Sequence, residues 1–104
     1  MKKILLCCSA GMSTSMLVKK MEQAAAEQGI ECVIEAHGVT VFNELIQDFD
    51  VCLLGPQVRF QQSELQKIAD DYNKQVAPIP PQMYGMMKGD EVLAIALSLI
   101  PETA

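Results

Sequence analysis

The sequence predicts an α/β protein built in three layers, a four-stranded parallel sheet of order 2-1-3-4 with helices on both faces. Three observations lead there. Four short apolar runs, at residues 3–7, 30–36, 51–55 and 75–79, alternate with four helical patterns at 13–28, 40–48, 60–73 and 90–100, the alternation expected of parallel strands joined by helical crossovers. Two of the runs are continuously apolar, as strands buried on both faces are. The other two carry charge or proline, which belong at sheet edges. The 104 residues suit one domain spanning 1–104.

In chain order, Ile4-Leu5-Leu6 is the core of the first strand. Leu17, Met21, Ala24 and Ala25 recur at helical spacing behind it. The second run interleaves Glu31 and Glu35 with Ile30, Cys32, Ile34 and Ala36, which suits a half-buried edge. Val51-Cys52-Leu53-Leu54 is the second fully apolar run. The third helix sets Leu65, Ile68, Ala69 and Tyr72 on one face, with Ser63 and Gln66 spaced as a capping box. Pro78, followed by Pro80-Pro81, puts the fourth strand at an edge. The last helix is led by Gly89-Asp90, turns Val92, Leu93, Ala96, Leu97 and Ile100 inward, and is stopped by Pro101. With right-handed crossovers, the two apolar runs take the centre. The point where the chain reverses direction then falls between strands one and three, where ligands of open α/β sheets bind outside the carboxyl ends. Cys8 leaves strand one at that point and Gly55-Pro56-Gln57 leaves strand three.

Composition narrows the function. No apolar run approaches the roughly 20 residues needed to span a bilayer, and residues 4–8 are too short for the core of a secretory signal. Four cysteines without a C-x-x-C pair support neither a disulfide framework nor a zinc or dithiol site. Cys7, Cys32 and Cys52 read as small core residues, and no metal or cofactor is implied. The net charge of −5 disfavours nucleic acid. Residues 1–21 carry +4 and the rest −9. Lys2 and Lys3, however, start the first strand, away from Cys8, and Lys19 and Lys20 read as a solvated helix face.

The most informative stretch is Cys8-Ser9-Ala10-Gly11-Met12-Ser13-Thr14-Ser15. A cysteine at the end of a strand is followed by small and hydroxylic residues that open a helix. Unpaired backbone N–H groups and the helix dipole make such a loop an anion site. The same field favours thiolate, making Cys8 a nucleophile, with the amides and hydroxyls of residues 9–15 as its phosphate cradle. The plainer reading is a capped helix beside an inert thiol. A cysteine phosphatase would need an arginine six positions after the nucleophile, to hold the phosphoryl group bidentately and stabilise the transition state. Thr14 stands there, and the only arginine is Arg59. No aspartic acid stands out as a general acid for a leaving alkoxide, with Asp90 alone left open. A cradle without arginine suits a relay that holds a phosphocysteine and passes it on.

At these residues the chain resembles the IIB components of the bacterial sugar phosphotransferase system, lactose/cellobiose/chitobiose group. The matching segments are Leu6 to Ser15, Leu53-Leu54-Gly55-Pro56-Gln57, and Tyr84-Gly85; the likeness covers essentially the whole chain. It implies a scaffold like that of the low-molecular-weight tyrosine phosphatases, and a phosphoryl group taken from a phosphohistidine on a IIA protein onto Cys8. That group then passes to a sugar held by a membrane IIC transporter, a β-linked disaccharide such as cellobiose, chitobiose or lactose. The protein would be cytoplasmic, peripherally associated with the transporter and not itself inserted in the membrane. Cys7 stands where the family usually has a plain apolar residue. Gln57 and Tyr84 are candidates for the partner-facing rim; each is also explained as a turn or packing residue. Met83, Met86 and Met87 fit a contact surface or core filling, and His37 fits an edge-strand surface histidine. Two other functions remain on the residues alone: a small cysteine phosphatase or arsenate-reductase-like enzyme, and a non-catalytic binding module.

Overall fold

The computed structural model describes residues 2–8 and 12–100 and, for 12–14, the backbone alone. Its elements are β1 (Lys2–Cys8), α1 (Met12–Gln28), β2 (Cys32–Gly38), α2 (Phe42–Leu45), β3 (Val51–Leu54), α3 (Gln62–Asp70), β4 (Gln75–Pro78), α4 (Pro81–Gly85) and α5 (Gly89–Leu99). Short 3-10 turns flank α2 at Val39–Val41 and Ile46–Asp48, and another, Pro56–Gln61, leads into α3. The four strands are parallel and ordered β2-β1-β3-β4, as the apolar runs predict. The expected Pro101 stop lies outside the described residues, where α5 has already ended at Leu99.

Strand alternation divides the core in two. Ile4, Leu6, Val51 and Leu53 face α1 and α5, meeting Leu17, Met21, Val92, Leu93 and Ala96. Leu5, Cys7, Cys52 and Leu54 face the other way, onto Phe42, Ile46, Val58, Leu65 and Ala69. Ile4 through Leu6 and Val51 through Leu54 are all inaccessible to solvent. Each such Leu or Ile stabilises the fold by roughly 1.5–3 kcal/mol relative to exposure. Burial on both faces is what places β1 and β3 at the centre.

Polar groups tie down the sheet's margins. The Asp50 carboxylate accepts from the backbone N–H of Lys3 at 2.8 Å and lies 3.7 Å from Lys74 Nζ, joining the starts of β1, β3 and β4. The outer edge of β4 is covered by side chains of α3. Gln66 Oε1 accepts from Val76 N at 2.9 Å, Gln66 Nε2 donates to Lys74 O at 3.0 Å, and Gln62 Nε2 donates to Val76 O at 3.1 Å. Two carboxamides thus occupy backbone groups that would otherwise template another strand.

The structure corrects the sequence reading in four places. Gln66 clamps β4 rather than closing a capping box with Ser63; α3 begins at Gln62 without a side-chain cap. Tyr72 lies past the end of α3 and is exposed, because the helix stops at Asp70. The pattern at 40–48 yields only one α-helical turn between 3-10 turns, with Phe42 and Ile46 as its buried anchors. Between the fourth strand and the last helix, where the sequence pattern predicts no element, Pro81 starts the short α4, using the fixed φ and missing N–H that suit proline to a first helical position.

Three helical segments end alike. Ile30 N donates to Ala25 O, Lys74 N to Ala69 O and Lys88 N to Met83 O, at 2.9–3.1 Å. In each, the preceding residue (Gly29, Asn73 or Met87) takes a left-handed φ of 70°, 58° or 52°. Met87, an unusual occupant, is half-buried against the α1/α5 core. Immediately after it, Gly89 sets the approach of α5 to α1. A Cβ on Gly89 would lie 2.4 Å from the backbone carbon of Lys20 and 2.6 Å from its Cβ, whereas one on Gly85 would meet nothing within 4 Å. Gly89→Ala should therefore destabilise the protein by about 1–3 kcal/mol in urea unfolding, as overpacking does. Gly85→Ala should be neutral or stabilising by up to ~1 kcal/mol. Equal effects would show that the α1–α5 crossing does not depend on the missing side chain.

Candidate functional site

Cys8 is the last residue of β1, paired in register with Gly38 at the end of β2. The apolar run at 3–7 ends one residue before it; pairing with β2 carries the strand on to include it. Alternation directs its side chain to the side of Ile4 and Leu6, under α1, while Cys7 faces the opposite layer with Leu5. Both are buried, Cys8 at 1% exposure and Cys7 at 0%.

Three residues, 9–11, separate Cys8 from the first residue of α1, Met12. The expected cradle residues Ser9, Ala10 and Gly11, and the side chains of Met12, Ser13 and Thr14, lie outside the described residues. Ser15 is exposed on the helix. The first turn of α1 contains no acid, so no side-chain carboxylate there offsets the positive end of the helix dipole.

The chain leaves β1 on the α1 face and β2 on the α2 face, which opens a crevice over the carboxyl ends of β1 and β3. Gly55 follows β3 there, and its N–H donates to Cys7 O at 2.8 Å. A Cβ on Gly55 would lie 2.9 Å from Gln57 Oε1, 3.3 Å from Cys8 Cβ and 3.6 Å from Cys7 O. Cys8 Cβ and the Gln57 carboxamide oxygen thus both border the space beside Gly55. Of the two rim candidates, Gln57 brings its carboxamide oxygen to the space beside Gly55 that Cys8 Cβ also borders, while Tyr84 is half-buried on α4 and packs with Met83 and Met87 against the α1/α5 core. Met86 is exposed. The methionines divide accordingly: two fill core space and one is at the surface. Arg59 is exposed in the 56–61 turn.

His37 is paired in register with Cys7 and so shares the face opposite Cys8. Its Nε2 lies 2.9 Å from Glu35 Oε1 on the same strand, an edge-strand pairing as expected. Asp90 lines a cleft of about 200 Å³ with Lys20, Gln23 and Glu27 of α1. Lys20 is eight residues beyond the start of α1, about 12 Å along the helix, so Asp90 is not placed as a general acid for Cys8. Among the described residues no group of three or more His, Cys, Asp or Glu is arranged to hold a metal ion, and no helix is long and apolar enough to cross a membrane.

Two of the other thiols are held toward the protonated form. Burial pushes the Cys52 thiol well above its ordinary value, helped by its hydrogen bond to Cys7 and by that neighbour's charge. Burial also raises Cys32, with Glu22 adding to the effect and Lys2 opposing it. A thiol held protonated in the fold stabilises it below the unfolded value and loses that contribution as pH rises toward the folded one. Stability should accordingly hold from pH 7 to 8 and fall above about pH 9, by up to ~1.4 kcal/mol per pH unit for one thiol. In urea titrations Cys52→Ala should show a shallower alkaline decline than the wild type; an identical decline would remove Cys52 as its source.

Comparison with known proteins gives one consistent picture. The family described as "PTS system, Lactose/Cellobiose specific IIB subunit" matches residues 3–95. The oligo-beta-mannoside-specific EIIB component of Bacillus subtilis is 50% identical over 100 residues, covering 96% of this chain and 97% of that protein. The galactose-specific and cellobiose-specific EIIB components of Lactococcus lactis are 44% and 43% identical over 104 residues, each covering 95% of this chain and 96% of the relative. Among solved structures, a cellobiose-specific IIB component from Borrelia burgdorferi superposes with a TM-score of 0.79 at 40% identity, over 95% of this chain and 91% of that one. The lactose-specific IIB domain of Streptococcus pneumoniae gives 0.85 at 17% identity, over 94% and 96%, a likeness of fold.

Proposed function

Because the chain belongs to the lactose/cellobiose-specific IIB family of the sugar phosphotransferase system, we propose that Cys8 is its phosphoryl acceptor. In the first step Cys8 Sγ, as thiolate, attacks the phosphorus of a phosphohistidine on a IIA protein. The P–N bond breaks as the S–P bond forms, and histidine recovers its lone pair. In the second step a sugar hydroxyl held by a IIC transporter attacks the same phosphorus. The S–P bond breaks, the hydroxyl proton is lost, and the thiolate is regenerated.

The observation that carries this reading is the placement of Cys8. It ends a central strand, close in sequence to the start of a 17-residue helix with no acid in its first turn, and adjoins Gly55 at the crevice, where the Gln57 carboxamide borders the same space. Backbone amides of residues 9–15 are the proposed cradle for the dianion. Low exposure at Cys8 supports a relay, since a thiophosphate shielded from water lasts until a partner arrives. The exposed position of Arg59, with no arginine in the loop, counts against a phosphatase.

Oligo-beta-mannoside, galactose and cellobiose appear in the names of relatives 43–50% identical to this chain. That spread supports sugar selection by the transporter rather than by this component. A β-linked disaccharide is the proposed cargo, and the cytoplasmic face of the transporter the proposed working place.

Phosphorylation by a phosphorylated IIA, followed by mapping of the phosphate, tests the assignment. Burial of Cys8 makes alkylation rate a measure of access as much as of thiolate, so uptake is the cleaner readout. Cys8→Ser should stay folded and take up no phosphate. Cys7→Ser should keep uptake while losing about 1–3 kcal/mol of stability from a hydroxyl in a buried strand. Phosphate on Cys7, or loss of uptake in a folded Cys7→Ser protein, would overturn it. The phosphoprotein should persist alone, discharge to IIC and sugar, and leave p-nitrophenyl phosphate unhydrolysed.

A further inference from the structure

We propose that Gly55 is a positioning residue for phosphoryl transfer: its missing side chain leaves a space, bordered by Cys8 Cβ, into which the Gln57 carboxamide reaches, and from there that amide donates a hydrogen bond through Nε2 to the phosphoryl group. The inference rests on Cys8 as the phosphoryl acceptor and assigns a side-chain donor to that site.

Space, not backbone torsion, is what glycine supplies at position 55. Its φ of −61° and ψ of 154° are open to any residue. Its N–H is held by Cys7 O at 2.8 Å and its carbonyl accepts from Val58 N at 3.0 Å, so the backbone cannot swing aside. The volume a Cβ would fill is already bounded by Gln57 Oε1 at 2.9 Å and Cys8 Cβ at 3.3 Å. Any side chain at 55 must displace the carboxamide, which is the flexible member of the pair.

Gln57 itself is mounted on an anchored turn. Pro56 opens the 56–61 turn and Val58, 2% exposed, fastens it to the core. The side chain of an otherwise exposed residue is thereby turned back toward the crevice. A primary amide suits this place, because it has two N–H donors and no charge. It can hold a phosphoryl oxygen without the strong stabilisation of transferring charge that a guanidinium supplies to a hydrolase. A neutral donor here favours a phosphocysteine that waits over one that hydrolyses.

The test compares Gln57→Ala, Gly55→Ala and the double variant, all in the full chain. It uses the rate of phosphoryl uptake from a phosphorylated IIA and the 31P shift of the phosphocysteine. Gln57→Ala alters an exposed side chain and should slow uptake about 10- to 100-fold, the loss expected for one hydrogen bond to a charged group, and should move the 31P resonance. Gly55→Ala should do the same, and the double variant should be no slower than Gln57→Ala alone, because both substitutions remove one contact. Gln57→Glu, which keeps the shape, removes the donors and adds negative charge, should be slower than Gln57→Ala. Wild-type uptake and an unmoved resonance in Gln57→Ala would refute the donor. Additive losses in the double variant would refute the positioning role of Gly55. If Gly55→Ala fails to fold, the two Gln57 variants still decide the donor, and recovery of folding in the double variant supports the clash with the carboxamide. Mapping the phosphate on the wild type decides separately whether Cys8 is the acceptor.

Discussion

The whole arrangement depends on one strand being buried on both faces. β1 hydrogen-bonds in parallel to β2 on one side and β3 on the other, and its side chains from Ile4 to Cys8 are all sealed from solvent. Parallel neighbours cannot be joined by tight turns, so the chain crosses over one face to reach β2 and over the other to reach β3. The crossovers separate above the end of β1. The crevice at Cys8 is therefore a product of the same pairing that supplies the largest share of the core.

Two missing side chains then set distances that burial alone leaves loose. At Gly89 the absence of a Cβ lets α5 begin against the backbone of Lys20, closing the layer over the face toward which Cys8 points. At Gly55 it leaves the space in which Gln57 and Cys8 approach each other. In neither case is left-handed backbone the reason: Gly29 is the only described glycine with positive φ. Close approach is a constraint between elements distant in sequence, and nothing in the residues beside a glycine announces it.

A related division separates the four thiols. Cys7 and Cys52 are neighbours in the layer under α2 and α3, and burial keeps Cys52 protonated. Cys32 sits at the far end of β2, opposite Lys2. Cys8 alone stands at the carboxyl edge. Chemically equivalent residues acquire different surroundings from strand parity and from which end of a strand they occupy.

Much of this is legible in the residues themselves. Continuous apolar runs name central strands and proline or charge names edges, because burial on both faces excludes polar side chains locally; the order β2-β1-β3-β4 follows. The cysteine between a strand and a helix is equally local, since its neighbours in sequence are its neighbours in space. What only the tertiary structure decided involves partners far apart in the chain. Gln66 has the spacing of half a helix cap, yet its amide reaches Lys74 and Val76, because an edge strand with unpaired backbone groups lies within its reach. Tyr84 reads equally as rim or as a packing residue, and its half-buried packing on the α1/α5 core depends on where α4 comes to rest. His37, close to Cys7 and Cys8 in register, faces away because the period of a strand is two. The sequence alone determined the sheet and its order; the assembled layers decided which side chains meet at the carboxyl end of β1, since contact depends on where separate elements come to rest.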